Sequence, residues 1–168
     1  LSNAANDYVG VTTIRGSGAN GSSTISVNTL ADGGVASGIG AAGSDSANLV
    51  LSDGGQLQYT GGSVDIDRGF TLASGAGRID VAQAATTLTV EGTAVGAGRL
   101  IKEGAGTLVL TGLNTYTGNT TVNEGTLLAG SAQAFGNETT SMTVNAGATL
   151  DVGGFDIRVG ALRDGDLG

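Results

Sequence analysis

Histidine and cysteine are both absent from this chain of 168 residues. Without histidine, the Ser-His-Asp and Cys-His arrangements that activate a nucleophile cannot form within the chain. A structural zinc site would lack both of its usual ligands. The lack of cysteine does not by itself assign a compartment, because stacked repeats can stabilise a secreted domain in place of disulfides.

Proline and tryptophan are also absent, and charged residues make up only 13% of the chain, with a net charge of −8. An acidic chain without a basic patch binds nucleic acid and anionic membranes poorly, so we expect neither as a partner. No apolar run approaches the ~20 residues of a transmembrane helix, so we expect no membrane insertion by this segment. No signal peptide is visible, which suggests a mature piece of protein.

Glycine, in contrast, is abundant, with 32 residues. It follows no Gly-X-Y period, which excludes collagen, and it recurs between short apolar runs. This distribution predicts many tight turns between many short strands. The small residues of 33–47 (GGVASGIGAAGSDSA) predict a flexible loop or irregular turn. The length suits one domain.

Internal repetition is visible in short phrases of the type small-Thr-Leu. Their anchoring leucines are spaced by 16, 20, 19 and 23 residues and are Leu72, Leu88, Leu108, Leu127 and Leu150. A period near 20 is the lower edge of the range for solenoids. The likeness between units favours parallel strands stacked in register over a β-sandwich, which the strand spacing alone does not exclude.

Within each unit the apolar pattern has a period of two, which is typical of a half-buried strand. In 107–111 (TLVLT), Leu108 and Leu110 share the inward face. The same pattern directs Met142 with Val144, and Leu150 with Val152, towards the core. We therefore predict an all-β solenoid of about seven or eight rungs, each rung being one coil of the chain.

The stretch 99–130 (RLIKEGAGTLVLTGLNTYTGNTTVNEGTLLAG) resembles the passenger-associated transport repeat of bacterial autotransporters, most strongly over 98–130. The matching positions are Lys102, Gly104, Gly106, Thr107, Leu108, Leu110, Gly112, Asn114, Thr115, Tyr116, Gly118, Thr120, Val122, Gly125, Thr126 and Leu127. The resemblance implies a right-handed parallel β-helix that is exported through an outer-membrane β-barrel of the same polypeptide and displayed on the bacterial surface.

The resemblance is firm over about 69–168. The first third of the chain keeps the alternation of apolar and polar residues but not the repeated phrase. We therefore predict one β-helix fragment over 1–168 of a longer passenger, with irregular rungs in 1–68 and regular rungs in 69–168. The transport-associated repeat would occupy 98–130.

The most distinctive stretch is 114–118 (NTYTG). We interpret it as a corner at which Asn114 caps its own backbone, Gly118 adopts a positive φ and Tyr116 covers the adjoining rung. The alternative is a tyrosine that stacks on a ligand.

Paired carboxylates could perform glycan chemistry, for which an acid and a base must flank the bond. Asp65 and Asp67 share one face of a strand next to Arg68. Aromatic residues are only 4% of the chain, however, and sugar clefts normally contain them. We therefore expect no catalytic residue, although the candidate acids are Asp65, Asp67, Asp80, Glu91, Glu103, Glu124, Asp151 and Asp156.

Two acidic clusters, 65–69 (DIDRG) and 164–166 (DGD), resemble calcium loops only superficially, because the remaining EF-hand ligands are missing. The phrase 16–23 (GSGANGSS) is not a phosphate-binding loop, because no Lys-Ser or Lys-Thr follows it. We expect no cofactor and no metal ion.

Taken together, these patterns predict a structural and folding segment of a secreted passenger, and not an enzyme. The resemblance implies that this segment assists its own export by templated folding. One alternative is an adhesin or self-association surface that contacts other cells or a host ligand. A polysaccharide-cleaving β-helix is the third hypothesis.

Overall fold

The computed structural model describes residues 6–17 and 23–165 of the chain. Within these ranges it contains sixteen β-strands, one short 3₁₀ helix over Ser46–Asn48 and no α-helix. The strands pair in parallel, and an isolated bridge between Asn6 and Ser37 is antiparallel. The predicted all-β parallel solenoid is confirmed.

The strands form three parallel sheets. The first sheet contains β1 (Thr12–Arg15), β3 (Leu49–Ser52), β6 (Phe70–Leu72) and β9 (Ala94–Gly96). The second contains β2 (Thr24–Val27), β4 (Gly55–Tyr59), β7 (Ala76–Val81), β10 (Arg99–Glu103), β12 (Thr120–Val122), β14 (Ser141–Val144) and β16 (Ala161–Asp164). The third contains β5 (Val64–Ile66), β8 (Thr87–Val90), β11 (Thr107–Leu110), β13 (Thr126–Ala129) and β15 (Thr149–Asp151).

From β3 to β11 the chain passes through the three sheets in turn, so that three successive strands complete one coil, as β6, β7 and β8 do. The solenoid has about five coils, and the predicted seven or eight is too many. Residues 28–48, between β2 and β3, are as long as a coil but add no strand to any sheet.

The third sheet shows why the sequence repeats. Its strands alternate between buried and partly exposed positions, and they pair without any offset. Because the side-chain period of a strand is two, zero offset places like residues over one another on both faces. The inward column is Leu88, Leu108, Leu127 and Leu150, and the outward column is Thr87, Thr107, Thr126 and Thr149.

Leu72 does not belong to the leucine column, contrary to the sequence-based alignment. It lies on β6 of the first sheet and pairs with Leu51 and Gly96. Val64 occupies the position next to Leu88. The short spacing of 16 between Leu72 and Leu88 arises because both residues belong to the same coil.

The core between the sheets is built largely from aliphatic side chains, with the aromatic side chains of Tyr59, Phe70, Tyr116 and Phe135 as large additions. Met142 is buried as predicted, and Leu150 packs against the core. Val152 is 44% exposed, so its predicted inward position is wrong. The strand that would have directed it inward ends one residue earlier, at Asp151, and Gly153 and Gly154 follow with positive φ.

The segment 28–48 is irregular, as predicted for 33–47, but it is anchored to the solenoid. Arg68 is buried, and its guanidinium donates hydrogen bonds to four backbone carbonyls of this segment, at 2.8–3.2 Å. Burial lowers the pKa of Arg68, and the neighbouring Asp67, Tyr8 and Asp32 oppose that effect. The carbonyls satisfied by Arg68 are those of Ala31, Asp32, Val35 and Gly40.

Candidate functional site: the repeat corner and its polar column

The predicted corner is the point where three successive coils are joined by one side chain. The Asn114 Oδ1 accepts a hydrogen bond from the backbone N–H of Ala94, 20 residues earlier, at 2.6 Å. Its Nδ2 donates to the backbone carbonyl of Ala134, 20 residues later, also at 2.6 Å. Asn114 therefore bridges neighbouring coils and does not cap its own backbone, which corrects the prediction. A buried amide needs partners for both its oxygen and its NH₂ group, and the two neighbouring coils supply an N–H and a carbonyl.

Tyr116 points into the core at this corner and is fully buried. Its hydroxyl lies 2.8 Å from the Thr120 Oγ1 in a hydrogen bond. Burial raises the pKa of Tyr116, and the hydrogen bond with Thr120 partly opposes that effect. A ring without an exposed face has no surface on which a ligand could stack, so the corner interpretation is the better one.

Gly118 is required at the corner for a different reason from the one predicted. Its φ is not among the positive values of the chain. A Cβ at this position would lie 2.1 Å from the carbonyl oxygen of Gly98 on the preceding coil. The backbones of the two coils approach too closely for any side chain, so the requirement is steric.

Lys102 has a fully buried side chain beside the corner. Its Nζ donates to the backbone carbonyls of Glu103, Gly104 and Glu124, at 2.8, 2.7 and 3.2 Å. Burial lowers the pKa of Lys102 to about 8, against the opposing influence of Asp80, Glu103 and Glu124. The three N–H bonds of the ammonium match three carbonyls from two coils, so Lys102 clamps the coils together.

A column of polar side chains runs along the second sheet, each lying on, or directly after, one of five neighbouring strands. Within it, the Nε2 of Gln58 donates to Asp80, the Nδ2 of Asn123 donates to Glu103, and the Nδ2 of Asn145 donates to Asn123, at 2.7–2.8 Å. We call this set the polar column: Gln58, Asp80, Glu103, Asn123 and Asn145.

Two of the candidate acids, Asp80 and Glu103, are brought together in this column as paired neighbours on β7 and β10. Gln56 also donates to the Asp80 Oδ2, at 3.0 Å, and Arg78 forms an ion pair with Glu103. Asp80 is only 8% exposed. Both carboxylates therefore accept hydrogen bonds from the protein itself, as expected of groups that hold coils together.

The other candidate pair, Asp65 and Asp67, lies at the end of β5, and both residues are exposed. The Asp67 Oδ1 accepts a hydrogen bond from the backbone N–H of Gly33, at 2.7 Å. The adjoining Arg68 turns inward to bind backbone carbonyls and does not face the two acids. The arrangement fastens the segment 28–48 to the solenoid.

The remaining candidate acids lie apart from one another. Glu91, Glu124 and Asp156 are exposed, and the Asp151 Oδ1 accepts from the backbone N–H of Gly153, at 2.8 Å, as in a turn. Residues 6–17 and 23–165 contain no group of three or more acidic residues placed to hold a metal ion. Asp166 of the second acidic cluster, and most of the phrase 16–23, lie outside the described residues.

Sequence reasoning missed a second copy of the corner near the start of the chain. The pattern Asn-x-Tyr-x-Gly-x-Thr-Thr, followed by Ile or Val, occurs at 6–14 (NDYVGVTTI) and at 114–122 (NTYTGNTTV). The Tyr8 hydroxyl lies 2.8 Å from the Thr12 Oγ1, which is the distance between Tyr116 and Thr120. Direct comparison of the two nonapeptides would have revealed it.

Comparisons with known proteins agree with this geometry. Residues 100–129 match the family described as passenger-associated-transport-repeat. The chain is 55% identical over 165 residues to the adhesin BmaC autotransporter of Brucella suis biovar 1 (strain 1330); the match covers 98% of the chain and 5% of that relative's length. No solved structure matches the chain.

In the described residues, no helix has the length and apolar character needed to cross a membrane. The corner, the stacked columns and both sequence matches confirm the resemblance found in the sequence, and they identify the chain as a segment of an autotransporter passenger with the transport-associated repeat.

Proposed function

We propose that this chain is a structural scaffold segment of a secreted passenger that is displayed on the bacterial cell surface, and that it has no enzymatic activity. The observation that supports this most is the side chain of Asn114, which is enclosed between the coils and bonded to the backbone on both sides. Lys102 and the polar column act in the same way. The polar groups thus stabilise the stack of coils and are not arranged for chemistry on a ligand.

We further propose that the segment assists export of the passenger by templated folding. Each folded coil presents backbone donors, acceptors and a leucine column to the next coil, so folding can propagate along the rod. The partner in this process would be the outer-membrane translocator of the same polypeptide. The coil that carries Asn114 would be a favoured site of propagation, because it bonds both neighbours through one side chain.

The export role is tested in the full-length protein by deleting residues 107–125. Thr126 then takes the place of Thr107, since the two residues pair without offset, so the deletion removes one coil and preserves the columns. We expect the surface yield to fall several-fold while the protease resistance of the displayed molecules is retained. An unchanged surface yield would rule out the export role and leave the scaffold role standing.

An adhesin function is a second candidate, favoured by the name of the similar protein. The outward threonine column of the third sheet, bordered by the half-buried Val109 and Leu128, offers a face on which another molecule could dock. Thr107→Lys with Thr126→Lys should abolish cell aggregation or host binding if this face mediates it. Aggregation that persists in the folded double variant would argue against this surface.

The polysaccharide-cleaving hypothesis receives no support from the positions of Asp80 and Glu103, which bond to protein groups. Incubation of the segment with uronic-acid polymers tests it directly. We expect no new reducing or unsaturated chain ends, and their appearance would overturn the proposal that the segment is not an enzyme.

A further inference from the structure

Three stretches of the chain have the pattern Asn-x-Ser or Asn-x-Thr, which is the acceptor sequence for a sugar on asparagine in exported proteins. They begin at Asn20, Asn119 and Asn137 and read NGS, NTT and NET. The first lies outside the described residues. The second and third differ in conformation, so the structure distinguishes two sites that the sequence alone makes equivalent.

The stretch that begins at Asn137 forms a closed turn on the surface. The Asn137 Oδ1 accepts hydrogen bonds from the backbone N–H of Thr139, at 3.1 Å, and from the Thr139 Oγ1, at 3.2 Å. The Asn137 Nδ2 makes no hydrogen bond within the described part of the chain, and both residues are exposed. The turn therefore holds the amide by its oxygen and leaves its nitrogen unbonded.

The stretch that begins at Asn119 is held in a different conformation. Thr121 lies on β12 and pairs with Ile101 on one side and Thr143 on the other. The Asn119 Oδ1 accepts a hydrogen bond from the backbone N–H of Ser141, 22 residues away, at 3.2 Å. Because a strand rises ~3.3 Å per residue, Asn119 and Thr121 are held apart and cannot close the same turn while β12 is paired.

A surface depression of about 350 Å³ adjoins the turn and is lined mostly by polar residues. Thr115 and Gln133 belong to this lining; both are exposed, and their side chains form no hydrogen bond within the described ranges. The volume is at the lower end of the range for small-molecule sites, about 300–1,000 Å³. A sugar ring attached to the Asn137 Nδ2 therefore has space beside the turn and polar groups to contact.

We propose that Asn137 is an acceptor for an N-linked sugar, which a glycosyltransferase of the producing bacterium transfers from a diphosphate-activated donor. In the transfer, the Asn137 Nδ2 forms a bond with the anomeric carbon, and the bond between that carbon and the diphosphate oxygen breaks. The diphosphate leaves with the electron pair, and the proton lost from Nδ2 goes to a base of the transferase. This modification is independent of the export role.

Asn137 is the better acceptor of the two because of how its turn is closed. The hydrogen bonds of the turn join Asn137 to Thr139 alone, so the turn can form before the coils stack and it persists afterwards. The conformation at Asn119 depends on pairing with neighbouring coils. Folding thus removes Asn119 from the acceptor conformation and retains Asn137 in it.

The test is peptide mass spectrometry of the full-length passenger, recovered from the surface of the bacterium that produces it. We expect a sugar adduct on Asn137, at an occupancy roughly ten-fold that of Asn119 or greater. The mass of the adduct distinguishes the donors. A single monosaccharide indicates a nucleoside-diphosphate sugar, and a preassembled oligosaccharide indicates a polyprenyl-diphosphate carrier.

Variants of the turn separate its groups. Asn137→Gln and Thr139→Ala should each remove the adduct, because the first displaces the acceptor amide and the second removes the hydroxyl that bonds its oxygen. Thr139→Ser keeps the hydroxyl and should keep the adduct. The matched control is Glu138→Ala, at the exposed middle position, which should also keep it. Surface yield and protease resistance should be unchanged in all four variants, since the three residues are exposed.

Three results would overturn the proposal. One is an Asn137 without any adduct in the naturally produced passenger. Another is an occupancy of Asn119 equal to or higher than that of Asn137, which would show that the folded turn does not select the site. The third is an adduct that survives on the same peptide in Asn137→Gln, which would place the sugar on another residue.

Discussion

Replacing Asn114 with alanine removes the side chain that joins three coils. Its two hydrogen bonds, each 2.6 Å long, end on the backbone of Ala94 and Ala134, and both of these residues are fully buried. Asn114→Ala therefore leaves a buried N–H and a buried carbonyl without a partner. Each orphaned group costs about 1–3 kcal/mol, so the two together predict a loss of about 2–6 kcal/mol.

We expect a loss of about 3 kcal/mol in the free energy of unfolding, in the lower half of this range, because a water molecule can enter part of the vacated polar space. For a chain of this length, that loss corresponds to a fall in Tm of roughly 6–12 °C. Urea unfolding of the purified segment, followed by circular dichroism, measures the free energy directly.

The matched control is Asn28→Ala, since Asn28 is exposed and its side chain makes no hydrogen bond within the described ranges. The control should stay within about 0.5 kcal/mol of the original chain. If Asn114→Ala loses less than about 1 kcal/mol, or no more than the control, the claim that this asparagine holds the coils together is refuted.

Three further perturbations test neighbouring features. The pKa of Lys102 is about 8 in the folded chain and about 10.5 in the unfolded chain, so the unfolded chain binds more protons between these pH values. The free energy of unfolding, measured relative to that of Lys102→Met, should therefore rise by about 2 kcal/mol from pH 7 to 9.5. A difference between the two proteins that does not change with pH would contradict the burial of Lys102. Tyr116→Phe should lower the free energy of unfolding, measured by thermal unfolding, by about 1–2 kcal/mol. Tyr8→Phe should lower it clearly less, because Tyr8 is half-exposed. Equal losses would refute the difference in burial between the two tyrosines. Gly118→Ala should lower the free energy of unfolding by about 1–3 kcal/mol. Gly62→Ala should be nearly neutral, because no atom lies within 4 Å of the added Cβ. A neutral Gly118→Ala would show that the coils can separate at this position.

The sequence predicted the stacking well where one coil resembles the next. Thr107 and Leu108 belong to phrases that recur in the third sheet. The recurrence of these phrases predicted the parallel pairing, and their alternation predicted which side chains point towards the core and which point outward. The same period misplaced Leu72, because a leucine in another sheet of the same coil fits the phrase equally well. A one-dimensional pattern does not specify which of three sheets a strand joins.

The candidate site was predictable in its location but not in its contacts. The phrase around Asn114 and Tyr116 predicted a corner, and the corner is present. The partners of Asn114 are backbone groups 20 residues away in both directions, and backbone groups leave no trace in the sequence. The same holds for Lys102 and Arg68, because a buried cation that binds carbonyls needs no acidic partner at a recognisable spacing.

The central claim is that like residues of successive coils stack in register, and cysteine crosslinking tests it most directly because the chain contains no cysteine of its own. Thr107 pairs with Thr126, and Thr126 pairs with Thr149, on the outer face of the third sheet. Paired residues on adjacent strands are ~4.8 Å apart, within the range of a disulfide, whereas residues two strands apart are about twice as far. We predict that Thr107→Cys with Thr126→Cys, and Thr126→Cys with Thr149→Cys, form disulfides under mild oxidation, and that Thr107→Cys with Thr149→Cys does not. Efficient crosslinking of the last pair, or failure of both adjacent pairs, would contradict the stacked solenoid.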